Sequence, residues 1–202
     1  MKKKVQMRPL VLASASPRRE RLLRETGLSF EIDAPPPEEE DGVDPSLPPE
    51  ERARERARAK AAWAVERRPG AVVLGADTVV VLEGEEMGKP VSPGDARRML
   101  VRLSGRKHQV VTGFALAFEG NIKTFAVRTE VRFRMLEDAV IDRYIASGEP
   151  MDKAGAYAIQ GAGGSLIDSV RGSYTNVVGL PLPEVLSALA GCGVWGADPP
   201  GR

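Results

Sequence analysis

The chain has 202 residues, enough for one compact α/β domain or two small lobes, and its 42% hydrophobic and 28% charged residues are those of an ordinary globular protein. A net charge of +1 leaves no global field to draw the chain to nucleic acid, so anion binding must be local. One cysteine, Cys192, and one histidine, His108, exclude a disulfide framework and any zinc site built on thiolate or imidazole, which leaves hard cations on oxygen ligands.

Met1-Lys2-Lys3-Lys4 opens like a signal peptide, but Gln6, Arg8 and Pro9 break the apolar run that follows. It is too short for a membrane span, and the expected compartment is the cytoplasm. Pro9 to Ala13 reads as a short buried strand. It leads into Ser14-Ala15-Ser16-Pro17-Arg18-Arg19, where Ser16 suits an N-cap and Pro17 the first helical position. A helix carrying Leu22 and Leu23 should stop at Gly27. Pro35 to Gly42, with three prolines and Glu38-Glu39-Glu40, reads as a loop.

Glu50 to Arg67 reads as one helix with small apolar positions at Ala53, Ala57, Ala61 and Ala64. Lys60 falls among them, so it either faces inward or snorkels from the stripe's edge. Ala71 to Leu82 is nearly continuous and β-branched, the pattern of a strand buried on both faces, with an interruption expected at Gly75-Ala76-Asp77-Thr78. Glu83-Gly84-Glu85 is a turn and Asp95 to Leu103 a short helix. Gln109 to Phe118 and Lys123 to Phe133 form a hairpin around Gly120-Asn121. A helix from about Glu137 to Ser147 stops at Gly148, Gly161 to Gly164 is a glycine-rich segment, and the last helix lies near Pro183 to Ala190. The tail from Gly196 to Arg202 is expected to fray.

Four segments carry the residue types of phosphate chemistry. In Ser14 to Arg19 a strand delivers hydroxyls and two guanidiniums to a helix start, where free N–H groups favour an anion. The bland alternative is a capped helix with solvated arginines. Asp77, inside a run of Val and Leu, must be paired or must work, as a base, a metal ligand or a turn-forming carboxylate. Gly88-Lys89-Pro90 has the wrong spacing for a P-loop, yet Lys89 can neutralise a phosphate as a point charge. In Gly148 to Gly161, glycines permit close backbone approach and Gln160 can read a base edge through its amide. His108 has no spacing that suggests a triad, so a structural hydrogen-bonding role is expected for it.

Taken together the segments resemble the Maf family of nucleoside triphosphate pyrophosphatases. L-A-S-A-S-P-R-R at 12–19 resembles its opening signature. A-x-x-K-A at 57–61, G-A-D-T-V-V at 75–80, G-K-P at 88–90 and L-S-G-x-x-H-x-V-x-T-G at 103–113 follow in order. G-E-P-x-D-K-A-G-A-Y-x-I-Q-G at 148–161 and V-V-G-L-P-L at 177–182 complete the set. The resemblance covers about residues 9 to 190, within a single domain spanning 1–202.

The resemblance implies an elongated α/β fold on a twisted mixed sheet flanked by helices, with an active-site cleft between two lobes. It implies hydrolysis of a triphosphate between the α- and β-phosphates with a divalent cation, magnesium or manganese, by a homodimer. Carried over by motif, Asp77 matches the proton acceptor, and Ser14, Arg18, Arg19, Lys60 and Lys89 match phosphate-contacting positions, with Ser16 beside them. Asp77 and a carboxylate of the Glu-rich loop would hold the metal, with Glu39 the best match and Glu38 and Glu40 left open. Arg18, Thr78 and Gln160 fit the branch that resembles dTTP/UTP pyrophosphatases, against the branch for 7-methyl-GTP. Thr78 and Gln160 would face the pyrimidine. The expected partner is a small-molecule nucleotide, with no nucleic acid and no membrane. The competing readings are another triphosphate such as CTP or 7-methyl-GTP, and a non-catalytic regulator of septum formation.

Overall fold

The fold is that of a computed structural model, whose described residues are 8–40 and 42–194. The opening lysine run and the tail expected to fray lie outside them. A seven-stranded mixed sheet has the order β2-β1-β3-β5-β6-β7, with β4 (Glu85–Met87) paired to β3 alone. The strands are β1 (Leu10–Ala13), β2 (Glu31–Ile32), β3 (Val72–Leu82), β5 (Lys107–Phe118), β6 (Asn121–Phe133) and β7 (Ile167–Arg171). The helices are α1 (Pro17–Arg24), α2 (Pro49–Arg67), α3 (Pro93–Leu103), α4 (Asp138–Ala146), α5 (Tyr174–Val178) and α6 (Leu182–Gly191). The mixed α/β class is as the sequence predicts. No helix of the described residues is long and apolar enough to cross a membrane.

The chain divides into two compact units. The first takes the chain up to Asp77, Thr112–Ala126 and the chain from Gly179 onward; the second takes Thr78–Val111 and Val127–Val178. In the first unit β1 lies parallel to both β2 and β3, with Ala13 opposite Gly75. The core here is made of small residues: Ala57, Ala61 and Ala64 of α2 pack on Val11, Ala13, Val73, Ala115 and Ala117 of the strands. Small side chains let α2 press its backbone onto the sheet. A Cβ on Gly75 would sit 2.3 Å from the Ala57 carbonyl oxygen, and one on Gly113 would sit 2.4 Å from that of Ala53. These two glycines are therefore the places where helix backbone replaces side chain.

The second unit has a larger-residue core, built on Leu82, Leu100, Leu103, Phe133, Ile141, Tyr144 and Tyr157. Its first hairpin joins β3 to β4 through Glu83 and Gly84, both with positive φ (54° and 86°). That is the two-residue primed turn that matches strand twist. Ser92 caps α3, its Oγ accepting from the Asp95 N–H.

Several boundaries depart from expectation. β3 runs without a break through Gly75 to Thr78, because Gly75 answers a packing need and not a bend. The β5–β6 turn is centred on Glu119 and Gly120 (φ 49° and 74°), so Asn121 already starts β6. The Glu-rich loop contains a 3-10 turn over Pro37–Glu40. The sequence pattern gives no sign of strands β2, β4 and β7 or of helix α5. All are two to five residues long, and β2 and β7 are largely exposed, so little apolar pattern marks them.

Candidate active site

The first unit gathers two groups of polar side chains, one past the carboxyl end of β1 and one on β3 just beyond its pairing with β1, the end of parallel strands at which open α/β sheets place their ligands. One group follows β1. Ser14 is buried, and its Oγ accepts from the Arg19 Nη1 at 2.9 Å and from the Ser16 N–H at 3.3 Å. Arg19 also donates from Nε to the Gly179 carbonyl at 2.9 Å. Ser16 is the N-cap of α1 as expected, but its own hydroxyl caps nothing. The turn is instead tied together through Ser14. Arg19 is thus buried and held from both sides, whereas Arg18 on the preceding helical position is only half-buried.

The second group surrounds Asp77. The β1–β3 register ends at Ala13 and Gly75, so Asp77 lies two residues past the paired segment, at the same edge as Ser14. Lys60 of α2 donates from Nζ to Asp77 Oδ1 at 2.9 Å and to the Ala76 carbonyl at 3.2 Å. Its side chain is 9% exposed, so the inward reading holds and the snorkelling one does not. Arg56, one helical turn earlier, places Nη1 3.6 Å from Asp77 Oδ2. Both carboxylate oxygens therefore face a cation from one helix face. Close backbone packing at Gly75 sets this geometry, since a thicker contact would lift Lys60 and Arg56 off the strand.

Arg56 is the residue that sequence reasoning missed. Its signal was there: it stands four residues before Lys60 and therefore on the same helix face.

The remaining candidates are Glu39, Thr78, Lys89 and Gln160. Glu39 is exposed on its 3-10 turn, which packs beside α2, and its carboxylate makes no bond among the described residues. Thr78, Lys89 and Gln160 belong to the second unit. Thr78 and Gln160 are half-buried and Lys89 is exposed. Lys89 follows Gly88, whose carbonyl accepts from the Gly155 N–H at 2.9 Å, so the G-K-P turn is fastened to the K-A-G run.

His108 is buried, with Nε2 2.7 Å from the Tyr157 hydroxyl and its ring edge-on to Phe133 and Tyr157. Burial pushes its imidazole down to about 4. It is a neutral, packed side chain, in keeping with the structural role expected. Cys192 is a buried free thiol whose pKa burial raises.

A family model described as Maf-like protein matches residues 9–192. A protein of Geotalea uraniireducens named dTTP/UTP pyrophosphatase is 50% identical over 182 residues, covering 89% of this chain and 93% of the relative. One of the same name from Moorella thermoacetica is 50% identical over 194 residues, covering 94% and 99%. Among solved structures, a nucleoside-triphosphatase/dITP/XTP pyrophosphatase of Mycobacterium abscessus aligns over 92% of this chain and 96% of its own at 14% identity and a TM-score of 0.46. The segments that build both polar groups, from Leu12 through Asp77, lie inside the matched span, and the chain belongs to the Maf-like protein family.

Proposed function

We infer that this protein is a nucleoside triphosphate pyrophosphatase that hydrolyses dTTP and UTP to the monophosphate and pyrophosphate. The observation that carries the reading furthest is the Lys60–Asp77–Arg56 cluster at the same sheet edge as the Ser14–Arg19 turn. A half-buried carboxylate beside an anion-binding helix start is what a water-activating base needs. The names carried by relatives at half identity over nearly the full chain supply the substrate class.

In this reading Asp77 orients a water and takes its proton as the oxygen attacks the α-phosphorus. The bond from that phosphorus to the bridging oxygen breaks, and pyrophosphate leaves. Lys60 fixes the carboxylate's rotamer and, with Arg56, faces the negative charge of the incoming phosphates. Arg18 and Lys89 bind phosphate oxygens directly. Arg19 shapes the Ser14-to-Ser16 turn, whose N–H groups and hydroxyls accompany it. Charge that builds on the leaving pyrophosphate meets these preset donors, where electrostatic catalysis acts. Thr78 and Gln160 face the pyrimidine.

A divalent cation fits the donor set. Among the described residues there is no cluster of three acidic, His or Cys side chains, so the protein alone builds no cage. Magnesium is often held by one or two carboxylates together with substrate phosphates. Asp77 would be the protein ligand, through the oxygen that Arg56 approaches only to 3.6 Å, with Glu39 as the second candidate. When bound, such an ion supplies charge neutralisation and polarises the α-phosphoryl group. We place the enzyme in the cytoplasm as a homodimer, the state that gel filtration with light scattering would test.

The deciding experiment is a pyrophosphate-release screen with magnesium or manganese across the standard and 7-methylated triphosphates. Release from dTTP and UTP with monophosphate as co-product supports the reading. Folded protein that releases pyrophosphate from none of them sinks it, and preference for 7-methyl-GTP or CTP moves the substrate while keeping the reaction.

A further inference from the structure

Glu149 has no part in the chemistry described above, yet it is among the most heavily bonded side chains of the second unit. Its Oε1 accepts from the Tyr144 hydroxyl at 2.9 Å and from the Gly163 N–H at 3.1 Å, and its Oε2 from the Ala162 N–H at 3.0 Å. The Tyr144 oxygen in turn accepts from the Ala158 N–H at 3.2 Å. The segment 158–163 is therefore tied down at both ends by one Tyr–Glu pair. Gln160 sits in the middle of it.

The fit is tight enough to exclude side chains on either side. A Cβ on Gly163 would meet the Ala158 carbonyl at 2.4 Å and the Tyr144 hydroxyl at 2.5 Å. One on Gly161, already at φ 77°, would meet Glu149 Oε2 at 2.7 Å. The base of the clamp is fixed as well. Tyr144 is buried in the α4 face, and Lys153 Nζ donates to the Glu149 carbonyl at 2.8 Å. Although burial disfavours its charge, the Gly163 and Ala162 amides and the Tyr144 hydroxyl hold the Glu149 carboxyl below its ordinary range. An ionised carboxylate accepting three hydrogen bonds is a strong, directional anchor.

We propose that Glu149, acting with Tyr144, is a positioning residue that sets the side chain of Gln160 and thereby the enzyme's choice of pyrimidine. The inference rests on the pyrophosphatase reading and adds to it the device that keeps its base reader in place. A polar reader discriminates only when its amide is held in one orientation, because a mobile amide can turn to suit either O4 of uracil or the N4 amino group of cytosine.

The test compares Glu149→Gln, Tyr144→Phe, Gln160→Ala and the Glu149→Gln/Gln160→Ala double variant, each checked for folding by circular dichroism. A glutamine cannot accept at both ends, so its NH2 faces an amide N–H. The kcat/KM ratio for UTP over CTP should fall about tenfold in Glu149→Gln and less, in the same direction, in Tyr144→Phe. The inhibition constant of inorganic tripolyphosphate, which has no base, should stay within about twofold of wild type in both. Adding Glu149→Gln to Gln160→Ala should change the ratio by less than about twofold, because the two substitutions act through one contact. An unchanged ratio in Glu149→Gln overturns the proposal. So do a tripolyphosphate constant that worsens in step with UTP and multiplicative effects in the double variant. If wild-type protein releases pyrophosphate from no triphosphate, the pyrophosphatase reading falls and takes this one with it; release from purine triphosphates alone keeps that reading and overturns this one. Activity with intact discrimination removes the positioning role alone. Tyr144→Phe keeps the test open should Glu149→Gln fail to fold.

Discussion

Lys60 Nζ lies 2.9 Å from Asp77 Oδ1, joining the inward face of a helix to the middle of a long, largely buried strand. Seventeen residues separate the two, and the contact exists because the intervening chain brings α2 down onto Gly75. Asp77→Asn keeps the size and most of the hydrogen bonding of the side chain but cannot take a proton. It should reduce pyrophosphate release by about 10²–10⁴-fold with an unchanged circular dichroism spectrum. Turnover near that of the wild type would remove Asp77 as the base.

Lys60→Met leaves Asp77 with Arg56 alone. Breaking a largely buried pair on one side costs on the order of 3 kcal/mol. Turnover should also fall or the triphosphate KM rise, because the carboxylate loses its fixed rotamer. Urea unfolding and initial-rate kinetics on the same preparation separate the two effects. Wild-type values in both would return Lys60 to a stem lying along the helix surface.

This pair also marks how far the sequence could be read. The alanine stripe at 53, 57, 61 and 64 left Lys60 open between an inward face and a snorkelling stem, and only the resemblance favoured the inward one, whereas the apolar run around Asp77 was enough to make it exceptional. That the two touch depends on helix-to-sheet distance, which no local pattern encodes. Arg56 was hidden among alternating arginines, where only its spacing from Lys60 distinguishes it from Arg54 and Arg58. Glu149 was visible within a motif but had no role to assign, since its partners are backbone amides a dozen residues on. The exposed strand β7 had no apolar alternation to betray it.

Gly75→Ala tests the packing that brings the site together. The added methyl would overlap the Ala57 carbonyl and the Ala61 amide, which are helix backbone and cannot rotate away. Overpacking of this kind costs roughly 1–3 kcal/mol, and turnover should fall with it because α2 carries Lys60. Gly88→Ala is the control. Its Cβ would meet nothing within 4 Å, so its unfolding midpoint should match the wild type within about 0.5 kcal/mol. Equal midpoints for both variants would mean that the glycine is not a packing requirement.

The two arginines of the first turn should separate in their effects. Arg19 bonds Ser14 and Gly179 inside the protein, so Arg19→Ala should cost roughly 1.5–3 kcal/mol of stability as well as activity. Arg18 is half-buried, and Arg18→Ala should raise the triphosphate KM about tenfold or more while the melting temperature stays close to wild type. A matching stability loss in both variants would contradict this division of labour.

His108 makes stability depend on pH in a predictable direction. Its folded pKa, about 4, lies below the ordinary value of 6.5 because burial disfavours the imidazolium. Between those two values the unfolded chain holds a proton that the folded one does not. The contribution is therefore complete above about pH 6.5, shrinks as pH falls, and is gone near pH 4, for a total of roughly 3 kcal/mol. His108→Gln can keep a hydrogen bond to Tyr157 but carries no titrating ring. Carboxylates also lose stability in acid, and they do so equally in both proteins. The difference in unfolding free energy between wild type and variant, measured in urea at pH 7.5, 6, 5 and 4.5, isolates the histidine. It should narrow steadily toward acid, with a slope approaching one proton. A constant gap across that range would mean that His108 is not held neutral in the folded protein.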